Sequence, residues 1–298
     1  MSLSPQEGRD LRRAALTGTL LALVLAAIEL ATDGALTRLI HGFGPGYLNF
    51  ARFDRGMTTL VLVFWPALLG FGSRRLWQVG FSIAVAAIVW FMPSSAAALA
   101  LVVAAVAYFV ARSHPRLVAG ALAASLVGVA VILPLALPSE HSVLALHQKV
   151  PWVKTSGLHR ILIWRFTVDR IAERPLLGWG MDASRVLPGG KTDLSVALPG
   201  IGLTPGSDAL PLHPHNAALQ WEVELGAPGA ALALAIVLWG LWRIGWRDDW
   251  GERRACALGW AAAALVIGLL SYGIWQPWWL SSLLLTAGLL AGSAADDG

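Results

Sequence analysis

The sequence predicts an all-α protein, a polytopic membrane helix bundle of about eight transmembrane helices with one long helical loop. Three observations carry this. First, hydrophobic residues make up 56% of the 298 positions and charged residues 13%, with 15 tryptophans; a soluble domain carries roughly 25% charged residues. Second, apolar runs recur at Ala14–Ala31, Met57–Phe71, Leu76–Met92, Ser94–Ala111, Leu117–Leu137, Gly229–Ile244, Ala255–Trp275 and Pro277–Gly292. Each approaches the length that crosses a hydrocarbon core of about 30 Å. Backbone polar groups in lipid must be satisfied within the segment, which makes these runs helices.

The third observation is the distribution of arginine. With the N-terminus inside, the cytoplasmic ends and loops hold arginines 9, 12, 13, 74, 75, 112, 116, 243, 247, 253 and 254, eleven in all. The short outer segments hold three, Arg38, Arg52 and Arg55. That bias orients the chain, with both termini cytoplasmic. The other eight Lys/Arg lie between Pro138 and Pro228, a segment long enough to cross whatever its charge. In a bacterium this places residues 138–228 in the periplasm and the helices of residues 1–137 and 229–298 in the inner membrane. The cluster "IWQPWW" from Ile274 fits an outer interface turn.

Several classes fall away. The pI of 9.7 reflects arginines flanking apolar runs, with no basic patch interleaved with aromatics as nucleic-acid binding requires. Cys256 is the single cysteine; it opens an apolar run and reads as a packing residue. The first run follows Arg9, Arg12 and Arg13 in the manner of a signal peptide, but it lacks an A-x-A site and reads as a retained helix. No internal repeat, CxxC, Walker loop, HExxH, G-x-S-x-G or Asp-x-Asp pair is present.

Residues 138–228 form a connection far longer than ordinary loops, which marks a functional segment. Within it, "SGLHRILIWRFTVDRIAERP" reads as a helix capped by Ser156 and stopped before Pro175. Ile161, Trp164, Val168 and Ile171 give it an apolar stripe. Arg165 with Asp169 and Arg170 with Glu173 are solvated pairs, worth ~0.2–0.5 kcal/mol each. Arg160 has Ile163 and Trp164 at those spacings, which leaves two readings: a guanidinium that holds phosphate or carboxylate, or an interfacial snorkel. Gly178 and Gly180 in "PLLGWG" suit a tight turn. "LPGGKTDLSVALPGIGLTPGSDALP" reads as a mobile flap ordered by substrate.

The next stretch, "LPLHPHNAALQWEVELG", is polar at the mouth of a hydrophobic segment. Pro214 fits the first position of a helix. That puts His213 at the cap and His215 and Asn216 in the first turn, where the helix dipole favours an anion and disfavours imidazolium. A neutral His215 can act as a general base. Asn216, Gln220 and Glu224 share one face and can orient that histidine or bind an acceptor. "ELGAPG" ends the helix before the span that starts near Gly229. A metal reading is poor, since histidines at i and i+2 lack further ligands nearby; a polar loop leading into a span is the bland alternative.

Two stretches in order, "SGLHRILIWRFTVDRIAERPLLGWG" and "HPHNAALQWEVELGAPG", resemble the bacterial O-antigen ligase and polymerase superfamily. The first matches Arg, Trp four residues on, then Pro-x-x-Gly-x-Gly; the second matches His-Asn, then Leu and Glu-x-Gly-x-x-Gly. The resemblance is firmest over Gly157–Gly229. It implies a C-type, metal-independent inner-membrane glycosyltransferase without cofactor. The donor would be a glycan on undecaprenyl pyrophosphate. The acceptor would be a lipid A–core sugar, another glycan chain or a protein hydroxyl, which leaves ligase, polymerase and protein O-glycosylase open. Position by position it implies that Arg160 binds the pyrophosphate, that His215 is the essential histidine and that Arg55 in "FDRGMTTLVLVFWPALL" is the second pyrophosphate arginine. The chain departs from the family in "PSSAAALAL", where Ala96 stands at an expected arginine, and in having eight runs where members commonly have ten or more. From another class, a transporter would place charged groups near the bilayer midplane. Here Glu29 alone lies in a span, near its outer end.

Overall fold

The computed structural model describes residues 4–42, 44, 53–92, 94–150 and 154–292; Arg52 and Pro93 lie outside them. Among the described residues the chain is all helical, with no strand beyond an isolated bridge between Asp193 and Asp208. Each of the eight predicted runs falls on a helix. Among the described residues four helices are long and apolar enough to cross a membrane: α1 (Pro5–Ala31), α6 (Pro115–Ala136), α10 (Ala217–Gly245) and α11 (Gly251–Leu270) with the turn before it. Shorter apolar helices are α4 (Arg75–Phe91), α5 (Ser95–Ala111) and α12 (Pro277–Gly292). The remaining helices are α2 (Ala35–His41), α3 (Asp54–Leu68), α7 (Glu140–Lys149), α8 (Thr155–Glu173) and the single turn α9 (Leu194–Ala197).

Large apolar side chains face outward along these helices: Leu21, Val24 and Leu25 on α1, Trp77, Ile83 and Trp90 on α4, and Leu232, Ile236 and Trp239 on α10 are all exposed. Contiguous apolar surface on this scale is compatible with lipid and not with water. The protein is an integral membrane protein.

Two compact units divide the chain. The first comprises residues 1–120, 241–267 and 280–298; the second comprises 121–240 and 268–279. In the first unit α3 is the central helix, with Val61, Leu62 and Trp65 all at most 1% exposed. Small residues let its neighbours close in. On α5, Ala97, Ala100, Ala104 and Ala107 make one buried face. On α11, a Cβ at Gly259 would lie 2.8 Å from the Trp65 ring. Cys256 is buried on α11 as a packing residue. The α1 helix starts well before Ala14 because Ser4 and Glu7 form a capping box ahead of Pro5. Glu29, at its other end, is buried and accepts hydrogen bonds from the Thr37 N–H (2.7 Å) and hydroxyl (2.9 Å). That carboxylate ties α1 to α2.

The second unit contains the whole of residues 138–228. Its scaffold is α8, flanked by two apolar clusters. One joins Leu158 and Leu162 to Val143 of α7, Leu194, Ile201 and Ala209; the other joins Ile163 to Leu187, Leu210 and Val223. Three expectations are corrected here. The fully buried seam of α8 is Leu158, Leu162, Ile163 and Thr167, with Ile161, Trp164, Val168 and Ile171 half-buried at its side, because the helix is covered on two flanks and not one. The N-cap is Lys154, without a side-chain cap bond, and Ser156 lies inside the helix. The glycine- and proline-rich stretch expected as a flap is folded onto α8 through Leu194, Ile201 and Ala209. Asp193 organises it by accepting from the Ser195 N–H (2.9 Å), the Ser195 hydroxyl (2.7 Å) and the Gly206 N–H (2.9 Å).

Candidate active site

Polar residues of the second unit converge where α8, the 210–216 loop, the start of α10 and the 271–276 turn meet. The helix α10 begins at Ala217, and Asn216 is its cap: its side-chain oxygen accepts the Leu219 N–H at 3.1 Å. This corrects the expected start at Pro214 with His213 as cap. Asparagine is a far better N-cap than histidine, so the helix waits for it. His215 therefore precedes the helix, in a left-handed conformation at φ +57°. That turn stacks the two imidazoles edge to face with centroids 4.3 Å apart.

The hydrogen bonds of His215 define its chemistry. Its backbone N–H donates to His213 Nδ1 at 3.2 Å, and its own Nδ1 meets the Ser271 carbonyl oxygen. A carbonyl can only accept, so Nδ1 carries the hydrogen and the lone pair of the neutral ring is on Nε2. Burial lowers the His215 pKa below its ordinary value, and the positive charge of Arg160 lowers it further, against the Ser271 carbonyl, which raises it. Burial, with His215 and Arg185 beside it, brings His213 down to about 3. Both rings are neutral at pH 7. Among the described residues no three His, Cys, Asp or Glu side chains gather as a metal-binding set.

Arg160 is thus close enough to His215 for its charge to be felt, and α8 is fixed there by the next turn. Trp164 donates its indole N–H to the Pro214 carbonyl at 2.9 Å, between the two histidines. The neighbouring His159 ring lies 2.9 Å from the Asp208 carbonyl. Arg55 is exposed in the first turn of α3 and belongs to the first unit.

Asn216, Gln220 and Glu224 are each 1% exposed, and their polar atoms are engaged within the fold. Gln220 accepts the Ile274 N–H at 2.9 Å and donates to Glu224 at 3.0 Å. The Glu224 carboxylate also takes the Asp182 N–H at 2.9 Å, the Ser184 hydroxyl and the Trp275 indole. This network clamps the turn that presents the Ser271 carbonyl. The same turn corrects the expected run to Trp275: α11 ends at Leu270. Trp275 in this turn is half-buried, and Trp279, in the first turn of α12, is 1% exposed.

The two glycine motifs interlock directly. Trp179 and Gly180 donate to the carbonyls of Val223 (2.8 Å) and Glu224 (2.9 Å), and Ala227 donates to Pro175 at 2.8 Å. Gly178 and Gly226 both have positive φ; a Cβ would fall 2.5 Å from the Glu224 oxygen and 2.2 Å from the Leu176 oxygen. Only glycine satisfies the backbone angle and the contact together. At Gly226 the path of α10 leaves helical geometry, with φ 67° and ψ −179°.

Comparison with known proteins covers both glycine motifs. A family model described as O-antigen ligase matches residues 80–234. A provisionally named polysaccharide ligase of Rickettsia conorii is 30% identical over 237 residues, covering 78% of this chain and 54% of that protein. Provisionally named polysaccharide ligases of Rickettsia felis and Rickettsia prowazekii are 30% and 28% identical, each over 76% of this chain. The chain belongs to the O-antigen ligase family. It spans about half the length of the curated relatives it matches, 54% in each of these three.

In this O-antigen ligase family member, the sequence-named His215, Arg160 and three-residue face of α10 fall in the second unit, beside Ser271, Gly273, Gln276, His159 and Arg185, which the sequence reading did not name. A Cβ at Gly273 would sit 2.9 Å from the His213 ring, and the Gln276 amide lies 3.2 Å from His213 Nε2. No local pattern announces these contacts, because Ser271 and Gln276 lie more than fifty residues from His215 and His213, and Arg185 stands 28 residues before His213.

Proposed function

We propose that this chain catalyses glycan transfer of the O-antigen ligase type at the outer face of a bacterial inner membrane. The donor is a glycan on undecaprenyl pyrophosphate and the acceptor is a hydroxyl of lipid A–core, a glycan or a protein. The observation that carries the reading is the tautomer of His215. With Nδ1–H held by the Ser271 carbonyl, Nε2 is the basic atom, in a ring kept neutral by burial and by Arg160.

In the reaction, Nε2 takes the proton of the acceptor hydroxyl as its oxygen attacks the anomeric carbon. The new C–O bond forms as the bond to pyrophosphate breaks, with inversion, and the electron pair leaves on the pyrophosphate. Arg160 stabilises that growing charge, and Arg55 is assigned the same role from its sequence position. His213, Asn216, Gln220 and Glu224 are positioning residues: they shape the loop and turn that hold His215, which favours support over acceptor binding. The chemistry asks for no metal or cofactor. The reading further places both termini in the cytoplasm and residues 138–228 in the periplasm, between the helices of residues 1–137 and 229–298.

His215→Ala should lower transfer about 10²–10⁴-fold, the usual worth of a general base. Arg160→Ala should lower it strongly too, while Arg165→Ala, which breaks only the pair with Asp169, should leave it unchanged. The measurement is glycan transfer by purified variants given lipid-linked donor and acceptor, with folding checked by melting temperature. Full activity in His215→Ala would remove the proposed base.

A further inference from the structure

The first unit carries a second concentration of charge that glycan transfer does not use. Arg9, Arg12 and Arg13 of α1, Arg74 before α4 and Arg253 of α11 line one cavity of about 710 Å³, with Glu252 the acidic residue in its wall. Five guanidiniums line it against one carboxylate, and with Asp10 of α1 3.8 Å from Arg13 the local excess is still about three positive charges. Glu252 is itself engaged by the Tyr108 hydroxyl and lies 3.7 Å from Arg112, which reduces its influence on the cavity further. Arg12 is half-buried and Arg253 is only 4% exposed, so part of this charge is drawn into the unit and not spread over its surface.

A second cavity, of about 500 Å³, adjoins the first and shares Gly72, Ser73, Gln78 and Glu252 with it. Arg75 and Arg112 stand in it beside Val79, Ile83 and Phe109. Those three apolar side chains are more than half exposed, on helices whose outer faces are apolar throughout. A basic cavity opening onto an apolar groove is complementary to an amphiphile with an anionic head. Arginines that only set membrane orientation need no common cavity. These come from three separate parts of the sequence and line one space, where guanidiniums can make charge-assisted hydrogen bonds to phosphate oxygens.

We propose that this pair of cavities is a binding site for an anionic phospholipid, its phosphate head among Arg12, Arg74 and Arg253 and an acyl chain along Val79, Ile83 and Phe109. The shared chemistry is a phosphate anion, and a free phosphate ester is the other source. The test uses the purified full chain in detergent, given phosphatidylglycerol, phosphatidylethanolamine of the same acyl chains, or soluble glycerol phosphate. Lipid retention is read by native mass spectrometry and melting temperature in parallel. Phosphatidylglycerol should be retained in preference to phosphatidylethanolamine and should raise the melting temperature, with little effect of glycerol phosphate. Arg12→Gln combined with Arg74→Gln should weaken phosphatidylglycerol retention about thirtyfold, and the Lys pair at the same positions should retain most of it. Equal retention of the two lipids by the unaltered protein would overturn the site. Protection by glycerol phosphate equal to that by phosphatidylglycerol would overturn the lipid as its occupant.

Discussion

His215 shows how a single backbone choice creates a reactive group. Its positive φ turns the ring onto the Ser271 carbonyl, and that acceptor decides which nitrogen keeps a lone pair. The electrostatics then decide when it is available. A base must be unprotonated, so transfer should be flat above pH 7 and fall as pH drops through the depressed His215 pKa. Arg160→Gln removes a positive charge that disfavours imidazolium. The pKa of His215 then rises and the acid limb of the pH profile should move to higher pH, whereas Arg160→Lys should keep it in place. An unmoved limb in Arg160→Gln would separate the two residues. The histidine and the arginine were legible in the sequence because each sits in a local motif. The carbonyl that orients one of them was not, because position 271 bears on position 215 only through the fold. The cap shift has the same lesson in miniature: proline at 214 and asparagine at 216 both offer a helix start, and the capping hydrogen bond to Leu219 decides for the second.

At the scale of elements, the interlock of "PLLGWG" with "ELGAPG" accounts for the two motifs occurring together. Each glycine is held by the other segment's backbone, so neither turn is stable as drawn without its partner. Gly226→Ala should destabilise the protein by at least the ~1–3 kcal/mol of a left-handed non-glycine residue, with further loss from the contact at 2.2 Å with Leu176. Gly240→Ala, in the same helix with nothing within 4 Å, should be neutral or slightly stabilising. Melting temperatures of the two purified variants test this, and equal values would show that the segments do not bear on each other in the membrane. The membrane helices were readable as continuous apolar runs, from length and composition alone. The α7 helix was not: it is short and polar, and only Val143 among its residues is buried, so its place depends on the cluster formed with α8.

For the whole molecule, the arginine count makes a claim about sides. All eleven arginines assigned inward belong to the first unit, and residues 138–228 belong to the second. Seven of the eleven line the two adjoining cavities, and Arg116 and Arg254 both bond Asp248, at 3.0 and 2.6 Å. Nine of the eleven, from distant parts of the sequence, thus gather within this unit, and the proposal assigns them to the cytoplasmic face. Sidedness can be read with thiol labelling, because the only cysteine, Cys256, is fully buried and should contribute little background. Val196→Cys, at a position 78% exposed in the long segment, should react with a membrane-impermeant maleimide in spheroplasts. Ser113→Cys, exposed between α5 and α6, should react only after the membrane is opened. The reverse pattern would put His215 and Arg160 on the cytoplasmic side, away from a donor presented at the outer face, and the proposed reaction would lose its substrate.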